Sequence, residues 1–259
     1  MARLISISIV SHAQGDMVGR LLADLRNLSE YEKFEVLLVL NVPEVLSFEW
    51  SYFPFPLKIK KNMEAKGFAE NHNKSYLESE GDYFCVLNPD VRLNSNPFPS
   101  LLALLHDDAV GLAAPLVLSP DGIIEDSARN FPTPLTIISK IFGGSHQNNH
   151  VINDPPVFPD WVGGMFMLFP RKVFQGIGGF DPSYFLYYED VDLCARMRLA
   201  GWRVALSPAT VVVHHAQRAS RRSFRYARWH VQSMARFFCS KVCWKVHWQI
   251  FSAKMREVL

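Results

Sequence analysis

The sequence predicts an α/β protein with a mostly parallel central sheet flanked by helices and a basic helical tail at its C-terminal end. Three observations predict it. Short apolar runs alternate with helical segments from residue 4 to residue 90. Several of those runs end in polar residues of the kind that line a crevice at strand ends. From His214 to Leu259 ten Lys and Arg face one acid, Glu257, whereas residues 1–213 hold 17 basic and 24 acidic residues. The division expected is one domain over residues 1–217 and an amphipathic tail over 218–259.

In chain order, Leu4 to Val10 alternates Ile with Ser as a strand does and ends in a polar turn at Ser11. A helix follows from about Met17 to Leu28, then the strand Phe34 to Leu40 with Asn41 at its end. After a Pro-rich, aromatic connection come a short strand, Leu57 to Ile59, the loop that opens at Gly67, and a helix through Asn73 to Glu78. The buried run Tyr83 to Leu87 delivers Asn88-Pro89-Asp90. Leu101 to Leu105 reads as helix, Val110 to Val117 as strand, and Ser119-Pro120-Asp121-Gly122 as a turn. Five prolines between Phe131 and Asp160, a helical patch near Leu135 to Phe142 and the polar GGSHQNNH read as an irregular insertion or lid. Trp161 to Phe169 is apolar, with Gly163 and Gly164 suggesting a close approach of backbone to a ligand. Val204 to Leu206 and Thr210 to Val213 read as two strands, the second ending at His214.

The chain's chemistry concentrates in YFLYYEDVDLCARMRLAGW, residues 184–202. Glu189, Asp190 and Asp192 follow Phe185, Tyr187 and Tyr188 and open a helix that Gly201 ends. Acids in a first turn suit any helix dipole. A cluster behind aromatic residues asks for more, because burying acids is expensive unless they are paired, metal-bound or meant to take a proton. Asp90 and His214 at strand ends supply one carboxylate and one imidazole, a partial shell for Mg²⁺ or Mn²⁺.

Other classes are narrowed by composition. With 49% hydrophobic and 20% charged residues the chain is globular, and no apolar run reaches the ~20 residues of a membrane span. MARLISISIV is too short for a signal peptide, so a cytoplasmic protein is expected. Cys85, Cys194, Cys239 and Cys243 form no CxxC pair and are expected as buried free thiols.

The order of the pieces resembles the family 2 glycosyltransferases of the GT-A fold, in particular bacterial O-antigen and cell-wall rhamnosyltransferases. It is carried by SIVSHAQ, NMEAKGFAENHNKS, FCVLNPDVRL, RNFPTP, WVGGMFMLFPRKVF, GGFDPSYFLYYEDVDLCARMRLAGWRV and VVVHHAQ. The resemblance implies an inverting transfer of a sugar, L-rhamnose from dTDP-L-rhamnose, to an undecaprenyl-diphosphate-linked saccharide. It implies Asp190 as general base with Glu189 beside it. Asp90 and His214 are then metal ligands, and Ser11, Asn41, Gly67, Asn73, Asn88 and Asp90 nucleotide-sugar contacts. Trp161, Gly163, Gly164 and Asp192 fall on the acceptor side. Two positions depart from the family: Leu40 replaces an acid in a VDN triplet, and Asn88 the first acid of DxD.

Inverting transfer needs one base on the acceptor hydroxyl and positive charge on the leaving diphosphate, which these residue types supply. At 100° per residue Phe237, Trp244, Trp248 and Phe251 share a stripe with Lys241 at its edge, which predicts a peripheral anchor on an anionic membrane surface, the inner face of the cytoplasmic membrane. Two alternatives stay open. One is a sugar-nucleotide-binding protein impaired in catalysis. The other is a nucleic-acid-binding module using the basic tail, against which stand the net acidic remainder and the lack of a nucleic-acid motif.

Overall fold

The computed structural model describes residues 5–30, 33–46, 48–49, 52–141, 155–215 and 224–258. Ten strands and eight helices are described. They run β1 (Ile5–Ser11), α1 (Gly15–Asn27), β2 (Phe34–Leu40), β3 (Leu57–Lys61), α2 (Phe68–Glu78), β4 (Tyr83–Leu87), β5 (Val91–Arg92), α3 (Phe98–Leu104), β6 (Val110–Leu118), β7 (Ala128–Arg129) and α4 (Pro134–Ile141). After these come β8 (Trp161–Val162), β9 (Phe166–Pro170), α5 (Arg171–Gly176), α6 (Glu189–Leu199), β10 (Arg203–His214), α7 (Phe224–Cys239) and α8 (Lys241–Val258). The polar GGSHQNNH and the Ala216-Gln217 end of the HHAQ motif lie outside the described residues.

Eight strands form one sheet in the order β3-β2-β1-β4-β9-β6-β10-β5, and β7 and β8 form a separate ribbon. The first four strands are parallel to one another, as the alternation of strand and helix predicts. β1 is buried on both faces. Its Ile5, Ile7 and Ile9 enter the core with α1, while Ser6 and Ser8 on the other face are satisfied by Glu35 (2.6 Å) and His72 Nδ1 (2.8 Å). One apolar cluster lies under α1 and α3; the other lies under α2, α5 and α6.

Three differences from the sequence reading bear on the site. First, the apolar stretch from Trp161 to Phe169 is two pieces. β9 inserts antiparallel between β4 and β6, which brings Met165 beside Asn88, whose N–H donates to the Met165 carbonyl (2.9 Å). Second, the two short strands expected after residue 203 are one strand, because a register shift between Ser207 and Val211 absorbs Pro208 without leaving the sheet. Its end pairs His214 with Val91, and the His215 N–H donates to the Asp90 carbonyl (2.8 Å). Third, the expected boundary after residue 217 does not divide the packing. Phe237, Cys243 and Val246 are buried in the same cluster as Leu193 and Met197 of α6. The single tail helix is a pair, broken at Ser240, whose hydroxyl accepts the Cys243 N–H (3.0 Å) as an N-cap. Phe237 therefore leaves the predicted aromatic stripe for the core. Of the four thiols, Cys239 is exposed rather than buried.

Candidate active site

The acidic segment begins in an unusual backbone. Tyr187 (φ 70°) and Tyr188 (φ 65°) are consecutive non-glycine residues in the left-handed region, a conformation costing about 1–2 kcal/mol per residue. Helix α7 holds them there. The Ser233 hydroxyl donates to the Leu186 carbonyl (2.8 Å). His230 lies against both tyrosine rings, at 5.2 and 5.5 Å, Trp229 against Phe185 at 4.6 Å and Phe237 against Tyr188 at 5.8 Å. At the other side Phe68 at the start of α2 donates its N–H to the Phe185 carbonyl (2.9 Å).

From this turn α6 starts, presenting Glu189 and Asp190 to a cavity of about 350 Å³. Asp190 is fixed by backbone donors: Oδ1 accepts the Val191 N–H (2.8 Å) and Oδ2 the Gly164 N–H (3.1 Å). Burial raises the Asp190 carboxyl above its ordinary value, and these N–H groups and Arg129 oppose the rise. Burial pushes Glu189 well up, and the neighbouring Asp190 charge adds to it. Glu189 Oε2 is buried without a partner among the described residues. Burial thus raises both carboxyls, and the Asp190 oxygens are held by backbone N–H donors while Glu189 Oε2 has none among the described residues.

Across the cavity His214 sits between two acids, Nδ1 at 2.8 Å from Glu125 and Nε2 at 3.4 Å from Asp90. Burial alone would lower the imidazole, but the hydrogen bonds and charges of Asp90 and Glu125 outweigh it and hold it at about 9. Asp90 Oδ1 is buried and has no hydrogen-bond partner among the described residues. Among the described residues no three such side chains converge on one point. Asn88, Trp161, Gly163 and Gly164 also line the cavity. Gly164 is small for the sake of the protein itself, since a Cβ there would meet the Phe68 ring at 3.2 Å.

Five residues expected at the site make contacts within the protein itself. Ser11 is fully buried and gives its hydroxyl to Glu44 (2.9 Å). Asn41 is a hub: its Oδ1 accepts from Asn62 (2.9 Å), Asn71 (3.1 Å) and the Lys66 N–H (2.8 Å), and its Nδ2 donates to the Lys66 carbonyl (2.9 Å). Gly67 has no room for a side chain, a Cβ coming to 2.8 Å from the Phe185 carbonyl oxygen. Asn73 bonds both ways to the Phe180 backbone (2.7 and 2.9 Å). Asp192 points away from the cavity into an ion pair with Arg196 (2.7 Å), which also binds the Ile177 carbonyl (2.8 Å). Three cavity neighbours escaped the sequence reading: Glu125, Arg129 and His230. Arg129 carried a signal, lying in RNFPTP; its guanidinium pairs with Asp126 (2.5 Å) and lies 5.4 Å over Trp161.

The family model described as "Glycosyltransferase like family 2" matches residues 159–235, which span the Gly163-Gly164 turn, α6 and most of α7. Rhamnosyltransferase WbbL of Escherichia coli (strain K12) is 27% identical over 252 residues, covering 92% of this chain and 94% of that protein. The N-acetylglucosaminyl-diphospho-decaprenol L-rhamnosyltransferase of Mycobacterium tuberculosis (strain H37Rv) is 34% identical over 152 residues, 52% of this chain and 47% of that protein, so the match spans about half of the relative. Among solved structures, GalNAc-T7 with UDP, GalNAc and Mn²⁺ superposes with a TM-score of 0.63 at 16% identity, over 82% of this chain and 44% of the other. The Pyrobaculum calidifontis mannosyltransferase PcManGT with GDP-Man and Mn²⁺ gives 0.62 at 15% identity, over 91% and 64%. The α/β fold is GT-A-like, and the family match and the relatives support a glycosyltransferase. Residues 159–235 match the family 2 glycosyltransferases, and most of the chain is similar to a bacterial rhamnosyltransferase.

Proposed function

We propose that the protein is an inverting rhamnosyltransferase that moves L-rhamnose from dTDP-L-rhamnose to a lipid-linked saccharide in O-antigen or cell-wall polysaccharide assembly. The observation that carries the reading is the Asp190 carboxylate, held at the cavity by two backbone N–H groups beside the buried Glu189. The names of the bacterial relatives support the sugar and the acceptor class. In the proposed step Asp190 takes the proton from the acceptor hydroxyl. That oxygen bonds to the anomeric carbon as the bond from the opposite face to the diphosphate breaks, and the nucleoside diphosphate leaves.

Asp90 and His214 would fit Mg²⁺ or Mn²⁺ once the imidazole gives up its Nε2 proton to make way for the cation. Asp90 Oδ1 has no hydrogen-bond partner among the described residues, and Glu125 on Nδ1 orients the ring so that Nε2 faces the same side as the Asp90 carboxylate. Two protein ligands suit a cation that keeps its other positions for water and phosphate oxygens. When bound, it would supply positive charge at the departing diphosphate. Arg129 and Trp161 form the acceptor-side wall, and the lipid-linked acceptor puts the protein at a membrane surface.

The test is incubation with a panel of nucleotide sugars and a lipid-linked GlcNAc acceptor, read by mass spectrometry. A mass gain of one deoxyhexose with dTDP-L-rhamnose alone supports the reading. Gain from another donor only would move the specificity, and no transfer with intact donor binding would favour a catalytically impaired binding protein.

A further inference from the structure

Helix α8 shows two faces of opposite character. Cys243 and Val246 are buried and Ile250 packs beside them against the core of the domain. Facing away are Trp244 (72% exposed), Trp248 (69%), Phe251 (56%) and Met255 (47%). At about 100° per residue these four lie within roughly 60° of one another, well separated from the buried face. The rings of Trp248 and Phe251 are 6.0 Å apart, so the stripe is continuous. Lys241, Lys245 and Arg256 are exposed along one flank, and residues 224–256 contain no Asp or Glu. A patch this large, left in solvent by a helix whose inward face is already packed, marks an interaction surface.

We infer that this face of α8 is a docking surface for an anionic lipid bilayer, lying in the headgroup plane. The inference rests on the lipid-linked acceptor proposed above and identifies how the enzyme would meet it. Tryptophan side chains suit the headgroup boundary, and the basic flank suits anionic lipid. No helix among the described residues is long and apolar enough to cross a membrane, so α8 would lie on the surface. The surface is tied firmly to the chemistry. α8 packs on α6, whose first turn carries Glu189 and Asp190, and only Ser240 separates it from α7, which holds the Tyr187-Tyr188 turn. Docking through α8 would therefore fix the height of the catalytic turn above the bilayer. For the same reason a C-terminal truncation is a poor probe, because it would strip Phe237 and Val246 from the core.

The experiment uses the full chain and the triple variant W244S/W248S/F251S, whose changed side chains are all exposed. Flotation with phosphatidylglycerol-containing vesicles is compared with pure phosphatidylcholine, at low and high salt, alongside thermal melting and transfer to a short-chain water-soluble acceptor. The expected result is salt-sensitive flotation of the wild type on anionic vesicles and a loss on the order of tenfold or more in the triple variant, with melting and soluble-acceptor activity unchanged. Equal flotation of the two proteins, or none by the wild type, overturns the proposal. So does wild-type self-association, read by sedimentation, or single-stranded DNA binding that the triple variant loses while flotation is unaffected. Vesicle binding needs no sugar chemistry, so flotation lost in the variant together with failure of every donor would leave the surface standing and reject the rhamnosyl reading.

Discussion

Two regions of the crevice hold polar groups in opposite ways. Around Asn41, at the end of β2, polar groups bind one another: the Asn62 and Asn71 side chains and the Lys66 N–H all converge on one amide oxygen. Around α6 and β10 the backbone is strained at Tyr187 and Tyr188, while Glu189 Oε2 and Asp90 Oδ1 are buried without partners among the described residues. Satisfied networks give rigidity. Strain and unmet hydrogen-bonding capacity cost stability and persist where the surrounding packing imposes them, which is typical of working sites. Substitutions around Asn41 should therefore cost stability first, and those around Asp190 and His214 should cost rate or ligand affinity first.

The largest effect is expected from Asp190→Asn, which keeps an acceptor for the Gly164 N–H but removes the base. Turnover should fall about 10²–10⁴-fold in a variant that still melts cooperatively, although one of the two backbone N–H groups on Asp190 loses its acceptor. Near-normal turnover of the folded variant would place the base elsewhere. Next is Glu125→Gln, which leaves both proposed ligands in place but weakens the partner that orients His214. Mn²⁺ affinity, titrated by electron paramagnetic resonance without substrate, should fall about 10–100-fold; unchanged affinity would separate Glu125 from the cation.

On the other side of the comparison, Asn41→Ala strands the donors of Asn62, Asn71 and Lys66. A loss of about 1–3 kcal/mol in denaturant unfolding is expected. A fully stable variant that has lost only donor affinity would make Asn41 a ligand contact after all. Ser233→Ala tests the brace between α7 and the catalytic turn. Removal of one hydrogen bond should cost about 1 kcal/mol, and kcat should fall while the dissociation constant of the donor holds. An equal loss in both would mean general loosening rather than misplacement of Asp190.

The smallest effect is on stability, from Glu189→Gln. A carboxyl raised in the folded state binds more protons there than in the unfolded chain, so its ionisation lowers stability as pH rises above the unfolded value of about 4.3. Glutamine carries no such penalty. The variant should match wild type below about pH 4 and exceed it at neutral pH. A variant less stable than wild type at pH 7 would mean that Glu189 is ionised and paired.

The tail shows how far one-dimensional periodicity reaches. The pattern predicted an aromatic stripe with a basic edge, and Trp244, Trp248 and Phe251 do lie on one exposed face. Phe237 does not, because Ser240 breaks the helix and turns the preceding segment into the core. Spacing along a chain projects onto a single axis only while the helix continues.

Local properties were therefore legible in the sequence. Alternating Ile and Ser predicted a strand, the β-α-β order predicted a parallel half-sheet, and acids behind aromatic residues singled out the turn at 184–192. Which polar residues face the cavity was decided by tertiary packing alone. Asn73 and Asp192 read as site residues by position, yet a backbone clamp and an ion pair with Arg196 claim them. Glu125 carried no local signal, and it and His230 reach the cavity because β6 runs beside β10 and α7 folds back over the Tyr187-Tyr188 turn. The physical reason is range. Propensity and periodicity act over a few residues, whereas a buried polar group's partner is set by contacts between segments far apart in sequence.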